Sequence, residues 1–261
     1  MESSIECMKY FVDENSIVRK IWGKADTILF IFAGASAEFA LNKAVDWLYF
    51  TGKLPADPLG RLFSTVTYAR QIVFSEHEAA LFAIDKITAI HKVVEENRGA
   101  QIPDWAYRDV LFMLIDYSIR SFEVLERKLT ESEKEEIFTT FYQVGFRMGI
   151  NGLPINFEQW RNMRAGHLQE NLLFSDFTQD LYKQYKKHLG IIRYYMLKQV
   201  QVMVVPQQVI KLLSLNNFSL LTPVLLAYKF ARVFKVEKFI RNIILPKEYK
   251  SQVTDLDKLQ L

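Results

Sequence analysis

Apolar positions along this chain recur at the three- and four-residue spacing of a helix. The stretch FMLIDYSIRSFEVL, from Phe112 to Leu125, keeps this spacing over several turns. Side chains at that spacing share one face of a helix, whereas strand residues alternate between two faces. No segment alternates in the second way and no internal repeat is visible. With 10 Gly and 7 Pro, turns are sparse as well. The pattern predicts an all-α fold.

Capping signals predict where the helices begin. Asp57 followed by Pro58 is typical of an N-cap with proline in the first helical position, and predicts a helix through about Ile72. Two capping boxes are predicted for later helices, Ser75 with Glu78 and Thr130 with Glu133, for helices ending near Glu95 and Gly149. Asp26 and Asn156 are predicted to cap helices over about 26–41 and 156–160. Further helices are predicted over about 103–128, 177–189, 191–215 (with Pro206 as a kink or boundary), 220–234 and 236–244.

The chain has the size of one domain with a large core. At 261 residues it could form one large domain or two small ones, and no linker of low complexity divides it. We therefore predict an N-terminal extension over residues 1–17, one helical domain over 18–245 and a polar tail over 246–261.

Composition excludes several classes of protein. Half of the residues are hydrophobic and 14% are aromatic, so disorder is excluded for most of the chain. The net charge of +3 is too small to indicate a nucleic-acid partner. The single cysteine, Cys7, excludes an internal disulfide, a multi-cysteine zinc site and covalently attached haem.

The apolar runs are too short or interrupted to predict a membrane span. Glu38 interrupts the run from Thr27 to Leu41, and Pro223 lies within the run from Phe218 to Ala231. The N-terminus has no apolar core of a signal peptide. We expect a soluble cytoplasmic protein. A weaker alternative is attachment to a membrane surface through the basic residues Lys229, Arg232, Lys235 and Lys238.

The first candidate for chemistry is a polar face on the helix that begins at Pro58. Arg61, Thr65, Tyr68 and Ile72 follow at steps of four, three and four, so they share one side of that helix. An arginine and a hydroxyl on an inward face can together hold an anion or a polar intermediate. The alternative, which spacing alone favours, is a surface arginine beside a threonine bonded to its own helix.

The second candidate is a lone histidine on the next predicted helix. His91 lies in register with Ile84, Ile87 and Val94, on an otherwise apolar stripe. It is either a core histidine bonded to the backbone or a metal ligand whose other ring nitrogen is held by the protein. The remaining polar candidates are placed as follows: His77, His167, His188, Arg161 and Arg164 at the surface, and Asp116 either buried beside a cationic partner or exposed.

These segments together resemble one known family, the MpaB-type and rubber (latex-clearing) oxygenases. The similarity extends from about Val18 to Pro206. It is carried by VRKIWGKADTILFIFAGASAEFAL, DPLGRLFSTVTYARQIVF, AIHKVV, FMLIDYSIRSFEVL and FYQVGFRMGINGLPINFEQW. The combination of R-x-x-x-T-x-x-Y with a following I-H-x-V is fairly specific, although each part alone is weak.

The resemblance implies a fold, a cofactor and roles for the candidate residues. It implies a globin-like helical core with additional C-terminal helices, and a non-covalent haem b whose iron is bound by His91. Arg61, Thr65 and Tyr68 would lie near the haem, with Arg61 and Thr65 in catalytic positions. The implied activity is a haem-dependent oxygenase that acts on an apolar small molecule and dioxygen.

Two positions depart from the family and keep a second function open. Leu111 stands where many members carry a histidine, and Ser64 stands where rubber oxygenases carry a lysine. Both differences argue against cleavage of a rubber-like polymer. The alternative function is a non-catalytic helical protein that binds haem or a lipid.

Overall fold

The structure, a computed structural model, describes residues 9–52, 56–223 and 225, apart from the side chains of residues 59 and 61–63. Its helices are α1 (Ile17–Trp22), α2 (Ala25–Leu41), α3 (Val45–Phe50), α4 (Pro58–Phe74), α5 (His77–Arg98), α6 (Asp104–Leu125), α7 (Glu131–Arg147), α8 (Phe157–Glu170), α9 (Asp176–Val204) and α10 (Gln207–Leu212). No β-strand occurs in these described ranges, where Tyr10 with Glu76 and Asn42 with Leu172 form isolated bridges. The predicted all-α class is confirmed.

Of the five predicted caps, those at Asp57, Thr130 and Asn156 are present. The cap predicted at Asp26 is wrong, because Asp26 lies inside α2, whose N-cap position is Lys24. The Asp57 carboxylate accepts a hydrogen bond from the Gly60 amide (2.8 Å) at the start of α4, with Pro58 as the first helical residue. Thr130 and Glu133 form a complete capping box at the start of α7. The capping box predicted at Ser75 is wrong. Ser75 instead ends α4, where its amide donates to Gln71, and α5 begins after Glu76 without a side-chain cap.

The centre of the fold is built around α2 and α6. α2 is buried on most of its circumference and packs against both α6 and α9. A helix that is apolar nearly all round is typical of a core position. α6 likewise buries most of its length, including the fully enclosed ring of Tyr117. This sandwich of α6, α2 and α9 fixes the positions of the polar side chains described below.

α9 turns at a glycine and is tied to α2 by polar contacts. Gly190 has a φ of 73°, a left-handed value that glycine adopts without strain, and it divides α9 into two helical halves. The Tyr185 hydroxyl donates to the Ser36 carbonyl, and the Gln201 amide contacts the Ser36 hydroxyl, each at 3.2 Å. The predicted stop at Gly190 and the predicted boundary at Pro206, which precedes α10, are both present.

Several predictions fall wholly or partly outside the described residues. These are Cys7, the helices over 220–234 and 236–244, the polar tail and the basic residues of the C-terminal part. The domain boundaries stay a prediction, although Phe11, Val12 and Ile17 belong to the core. None of the helices described has both the length and the apolar character needed to cross a bilayer.

Candidate active site

The polar face predicted on α4 is continuous in the structure. Residues 58–74 form one helix, so Arg61, Thr65, Tyr68 and Ile72 do lie on one side of it. Ile72 is buried, and Thr65 and Tyr68 are half-buried. This side of α4 therefore lies at the border of the buried face formed by Val66, Ala69 and Val73, and the backbone of Arg61 lies at its N-terminal end.

His91 is half-buried in the C-terminal half of α5. Its ring meets the ring of Tyr107 on α6 edge-on, with centroids 5.2 Å apart and planes at 75°. Its Nδ1 atom is inaccessible to solvent. Along the same stripe Ile84 is buried and Val94 is half-buried. The histidine is thus neither a fully enclosed core residue nor a freely solvated one.

The hairpin of α4 and α5 determines which of these residues can meet. The two helices pack against each other and are joined only by Ser75 and Glu76. At 1.5 Å per residue, Arg61 lies about 20 Å from the last residue of α4, and His91 about 21 Å from the first residue of α5. Residues equally far from the turn of a helical hairpin lie side by side. Antiparallel packing along the whole hairpin would bring the beginning of α4 to the level of His91.

A second polar cluster lies between α2, α6 and α8, with Glu38, Asp116, Tyr117 and Arg164 buried and Arg120 at its edge. Arg164 donates to both oxygens of Glu38 (2.5 and 2.6 Å) and to Oδ2 of Asp116 (3.0 and 2.9 Å). Arg120 donates to the other oxygen of Asp116 (2.7 Å), and the Tyr117 hydroxyl donates to Glu38 (2.7 Å). We call these five residues the Arg164 network. Its two carboxylates and two guanidinium groups balance in charge, which burial demands.

The network shifts the pKa values of its members in opposite directions. Burial alone would raise the pKa of the Asp116 carboxyl, but Arg164 and then Arg120 hold it below its usual value. Burial alone would lower the pKa of Arg164, but Glu38 and Asp116 raise it well above the ordinary value. Asp116 and Arg164 are therefore charged at neutral pH, and the Arg164 guanidinium already has two carboxylates as partners. The role of the Arg164 network is therefore to stabilise the fold.

Buried tyrosines in two parts of the core make the protein sensitive to alkaline pH. Burial, followed by the negative charge of Glu38, raises the pKa of Tyr117 well above 10, and burial raises those of Tyr182 and Tyr185. Above pH 10 the unfolded chain loses these protons while the folded chain keeps them. The stability they contribute is therefore present below pH 10 and is lost as pH rises further, by about 1.4 kcal/mol per pH unit for each tyrosine.

Urea unfolding at a series of pH values from neutral to about 11 checks this expectation. The unfolding midpoint should fall steeply above pH 10, and Tyr117→Phe should fall less steeply than wild type. Tyr195→Phe is the control, because Tyr195 is half exposed. A midpoint with the same pH dependence in Tyr117→Phe as in wild type would contradict the assignment to Tyr117.

The end of α8 carries a histidine with an acidic partner. His167 Nδ1 lies against the Asp109 carboxylate, which also accepts from Asn42 (2.8 Å) and Asn171 (3.1 Å). The His167 ring stacks on Phe112, with centroids 5.0 Å apart. Because the Asn42 and Asn171 segments also pair through their backbones, this cluster joins the end of α2 to the end of α8. The prediction that His167 is solvated is wrong.

Two further surface predictions are corrected by the same packing. Arg164 is buried, and its guanidinium pairs with the buried carboxylates of Glu38 and Asp116. His77 is half-buried, because its ring packs against Phe11, with centroids 5.9 Å apart. Asp116, for which both readings were open, is buried with the predicted kind of partner, an arginine.

Two surface clefts open elsewhere on the molecule. One of about 400 Å³ lies between α5 and α7 and is lined by His77, Leu81 and Phe146 among others. One of about 300 Å³ lies along α9 and is lined by Lys183, Lys186 and Lys198 among others. Neither has His91, Thr65 or Tyr68 in its lining.

Comparison with known proteins identifies the family. The family model described as "ER-bound oxygenase mpaB/B'/Rubber oxygenase, catalytic domain" matches residues 20–236, which is most of the chain. The chain belongs to this family. Neither a search of curated proteins nor a search of solved structures found a significant match.

Membership of the mpaB/rubber-oxygenase family confirms the resemblance and the general class of oxygenase domain. The match includes the whole of α4, α5 and α6, which carry the candidate residues, and the helices that hold the Arg164 network. It does not assign a cofactor or a role to any single residue. Arg61, Thr65, Tyr68 and His91 therefore remain predicted site residues.

The two departures from the family pattern have different surroundings. Leu111 is buried and packs beside Gly145, where a side chain on that glycine would meet the Leu111 methyl group at 2.7 Å. Ser64 is half-buried on α4, next to Thr65. Leu111 is thus part of the apolar core between α6 and α7.

Among the described residues, no group of three or more His, Cys, Asp or Glu side chains is arranged to hold a metal ion. A single histidine can still hold an iron that arrives in a haem, since the porphyrin brings four nitrogen ligands of its own.

Proposed function

We propose that this protein is a haem-b-dependent oxygenase in which His91 is the axial ligand of the iron. The observation that carries the proposal is the half-burial of His91 in α5, the helix that packs against α4 with its polar face, in a chain that belongs to an oxygenase family. The substrates would be dioxygen and an apolar small molecule.

Two features of His91 support this proposal. A proximal histidine keeps one ring nitrogen inside the protein and offers the other to iron, and the Nδ1 of His91 is out of solvent while the residue is still partly accessible. Ile87 and Val94, both half-buried, lie on the same side of α5 as His91. An imidazole among aliphatic side chains suits the apolar porphyrin face.

Each candidate residue has a distinct task in this proposal. Haem iron with a neutral histidine ligand supplies a site for oxygen binding and activation. His91 would fix the haem on α5, and the edge-on ring of Tyr107 would limit rotation of the imidazole. Arg61 and Thr65 on α4 would donate hydrogen bonds to a haem carboxylate or to bound oxygen, with Tyr68 one turn further along the same face.

Purified full-length protein tests the cofactor directly. We expect a Soret band, either as purified or after titration with haemin, and we expect His91→Ala to lose it. His77→Ala is the matched control, because His77 lies on the same helix and also has an inaccessible Nδ1. Far-ultraviolet circular dichroism checks that both variants fold. A protein that stays colourless after haemin titration, or a His91→Ala variant that keeps the band, would overturn the assignment.

A second candidate function is a haem- or lipid-binding protein without turnover. The buried Leu111 favours it, since a core leucine stands where many family members carry a histidine. Oxygen consumption with apolar alkenes separates the two candidates. Consumption that depends on the alkene supports the oxygenase, whereas a haem protein that consumes no oxygen with any apolar alkene supports the binding protein.

A further inference from the structure

The helix α9 has a charge pattern unlike the rest of the chain. From Leu181 to Val236 the sequence contains no Asp or Glu, although the whole chain has 30 acidic residues. In the described part of this stretch the basic residues are Lys183, Lys186, Lys187, Arg193, Lys198 and Lys211. The last acidic residue before it, Asp180, is engaged by the Tyr49 hydroxyl at 2.9 Å. The positive charge is therefore local to this side of the molecule and uncompensated by neighbours in sequence.

The lysines on the first half of α9 point away from the core. Lys183, Lys186 and Lys187 follow at helical spacing on the side opposite the buried residues Leu181 and Tyr185. Across the described residues, Lys186, Lys187 and Lys198 take part in no ion pair, and Lys183 has only a long contact of 3.4 Å to Gln179. These ammonium groups are thus available to an anionic partner.

Large apolar side chains stand exposed next to these lysines. Ile191 and Ile192, directly after the turn at Gly190, are each 76% exposed, and Tyr195 one turn later is half exposed. Phe174, also half exposed, lines the same cleft of about 300 Å³ as Lys183 and Lys186. Exposed aliphatic and aromatic groups bordered by charge are typical of an interaction site.

We propose that this surface, defined by Phe174, Lys183, Lys186, Lys187, Ile191 and Ile192, binds the surface of an anionic lipid bilayer. Lysines would contact lipid headgroups while the two isoleucines enter the boundary between headgroups and acyl chains, as in amphipathic interfacial helices. A protein partner fits less well, since the cores of protein interfaces are depleted in lysine. The contact is peripheral, because no helix in the described part of the chain could span the bilayer.

This inference is independent of haem and of the basic residues predicted near the C-terminus. Lys229, Arg232, Lys235 and Lys238 lie outside the described residues, whereas the α9 surface stands on described side chains. Binding through the α9 surface would hold the protein at a bilayer, in which apolar molecules dissolve.

Co-sedimentation of the full-length protein with lipid vesicles tests the proposal. We expect binding to vesicles with roughly one-third phosphatidylserine and little binding to pure phosphatidylcholine. Binding should weaken as salt rises from about 50 mM to about 500 mM, because salt screens exposed charges. Equal binding to both kinds of vesicle, or none to either, would overturn the proposal.

Two double variants localise the contact. Lys186→Gln/Lys187→Gln should bind anionic vesicles about 30-fold more weakly, from the usual contribution of each lysine near such a surface. Ile191→Ser/Ile192→Ser should weaken binding by at least about tenfold while leaving its salt dependence unchanged. The control Lys20→Gln/Lys86→Gln removes two exposed lysines from α1 and α5 and should bind within about twofold of wild type. If all three doubles behave alike, the α9 surface is not the binding site.

Discussion

Replacing Arg164 with methionine is expected to lower the free energy of unfolding by about 3–5 kcal/mol, a large share of the roughly 5–15 kcal/mol of an ordinary domain. The change leaves Glu38 and Asp116 buried, and takes from Glu38 its only cationic contact in the network. Two carboxylates that cannot be solvated then repel each other in the core. Methionine fills a comparable volume, so the loss reports charge rather than a cavity. Urea unfolding followed by circular dichroism measures the change.

Arg161→Met is the matched control, because Arg161 lies one turn earlier on α8, is exposed, and reaches Glu131 only at 3.8 Å. It should stay within about 1 kcal/mol of wild type. Arg164→Lys should fall between the two variants, since lysine keeps the charge but cannot donate to both carboxylates in the same fork. Equal stability of Arg164→Met and Arg161→Met would contradict a structural role for the network.

The network shows where sequence reasoning fails and which signal was available. Arg164 stands in a polar stretch, WRNMRAGH, and its partner Glu38 is 126 positions away, so no local pattern pairs them. Yet the buried residues of α8 are Phe157, Trp160 and Arg164, which follow at steps of three and four. The arginine thus continues an apolar stripe, and the lone Glu38 interrupts an apolar run. A positive charge on one predicted buried face and a negative charge on another are the sequence signal that would have predicted this ion pair.

Helix ends were predictable where the capping group is local. Asp57 and Thr130 each bond an amide within three residues, so their own sequence determines the cap. Ser75 has the same pattern with Glu78, but the Lys9 carbonyl accepts the His77 amide there and the start of α5 shifts. A contact from a distant segment decided that helix end, and such contacts are not visible in a capping motif.

Helical spacing alone was enough to predict part of the candidate site. Helix period places Thr65 and Tyr68 on one face and His91 on another stripe, and the structure keeps both arrangements. The half-burial of His91 and its contact with Tyr107 depend on how α5 meets α6, which spacing alone does not state. The cofactor cannot be read from this pattern at all, because an axial histidine and a core histidine have the same spacing in the sequence.

Gly34→Ala is expected to lower the free energy of unfolding by more than about 2 kcal/mol, although alanine favours helices over glycine. Gly34 lies in α2 where that helix crosses α6, and a Cβ there would overlap the ring of Tyr117. That ring is fully buried and its hydroxyl donates a hydrogen bond to Glu38, so it cannot move aside without disturbing the Arg164 network.

Chemical denaturation measures the change in the free energy of unfolding, and Gly166→Ala is the control. Gly166 is also within a helix, but a Cβ there would meet only Glu170, at 4.0 Å, so alanine should stabilise the protein by about 0.5–1 kcal/mol. Opposite signs at these two positions would show that the close approach of α2 to α6 requires a glycine. A destabilisation of Gly34→Ala that persists unchanged in a Tyr117→Leu background would argue against that cause, since the smaller side chain should relieve the overlap.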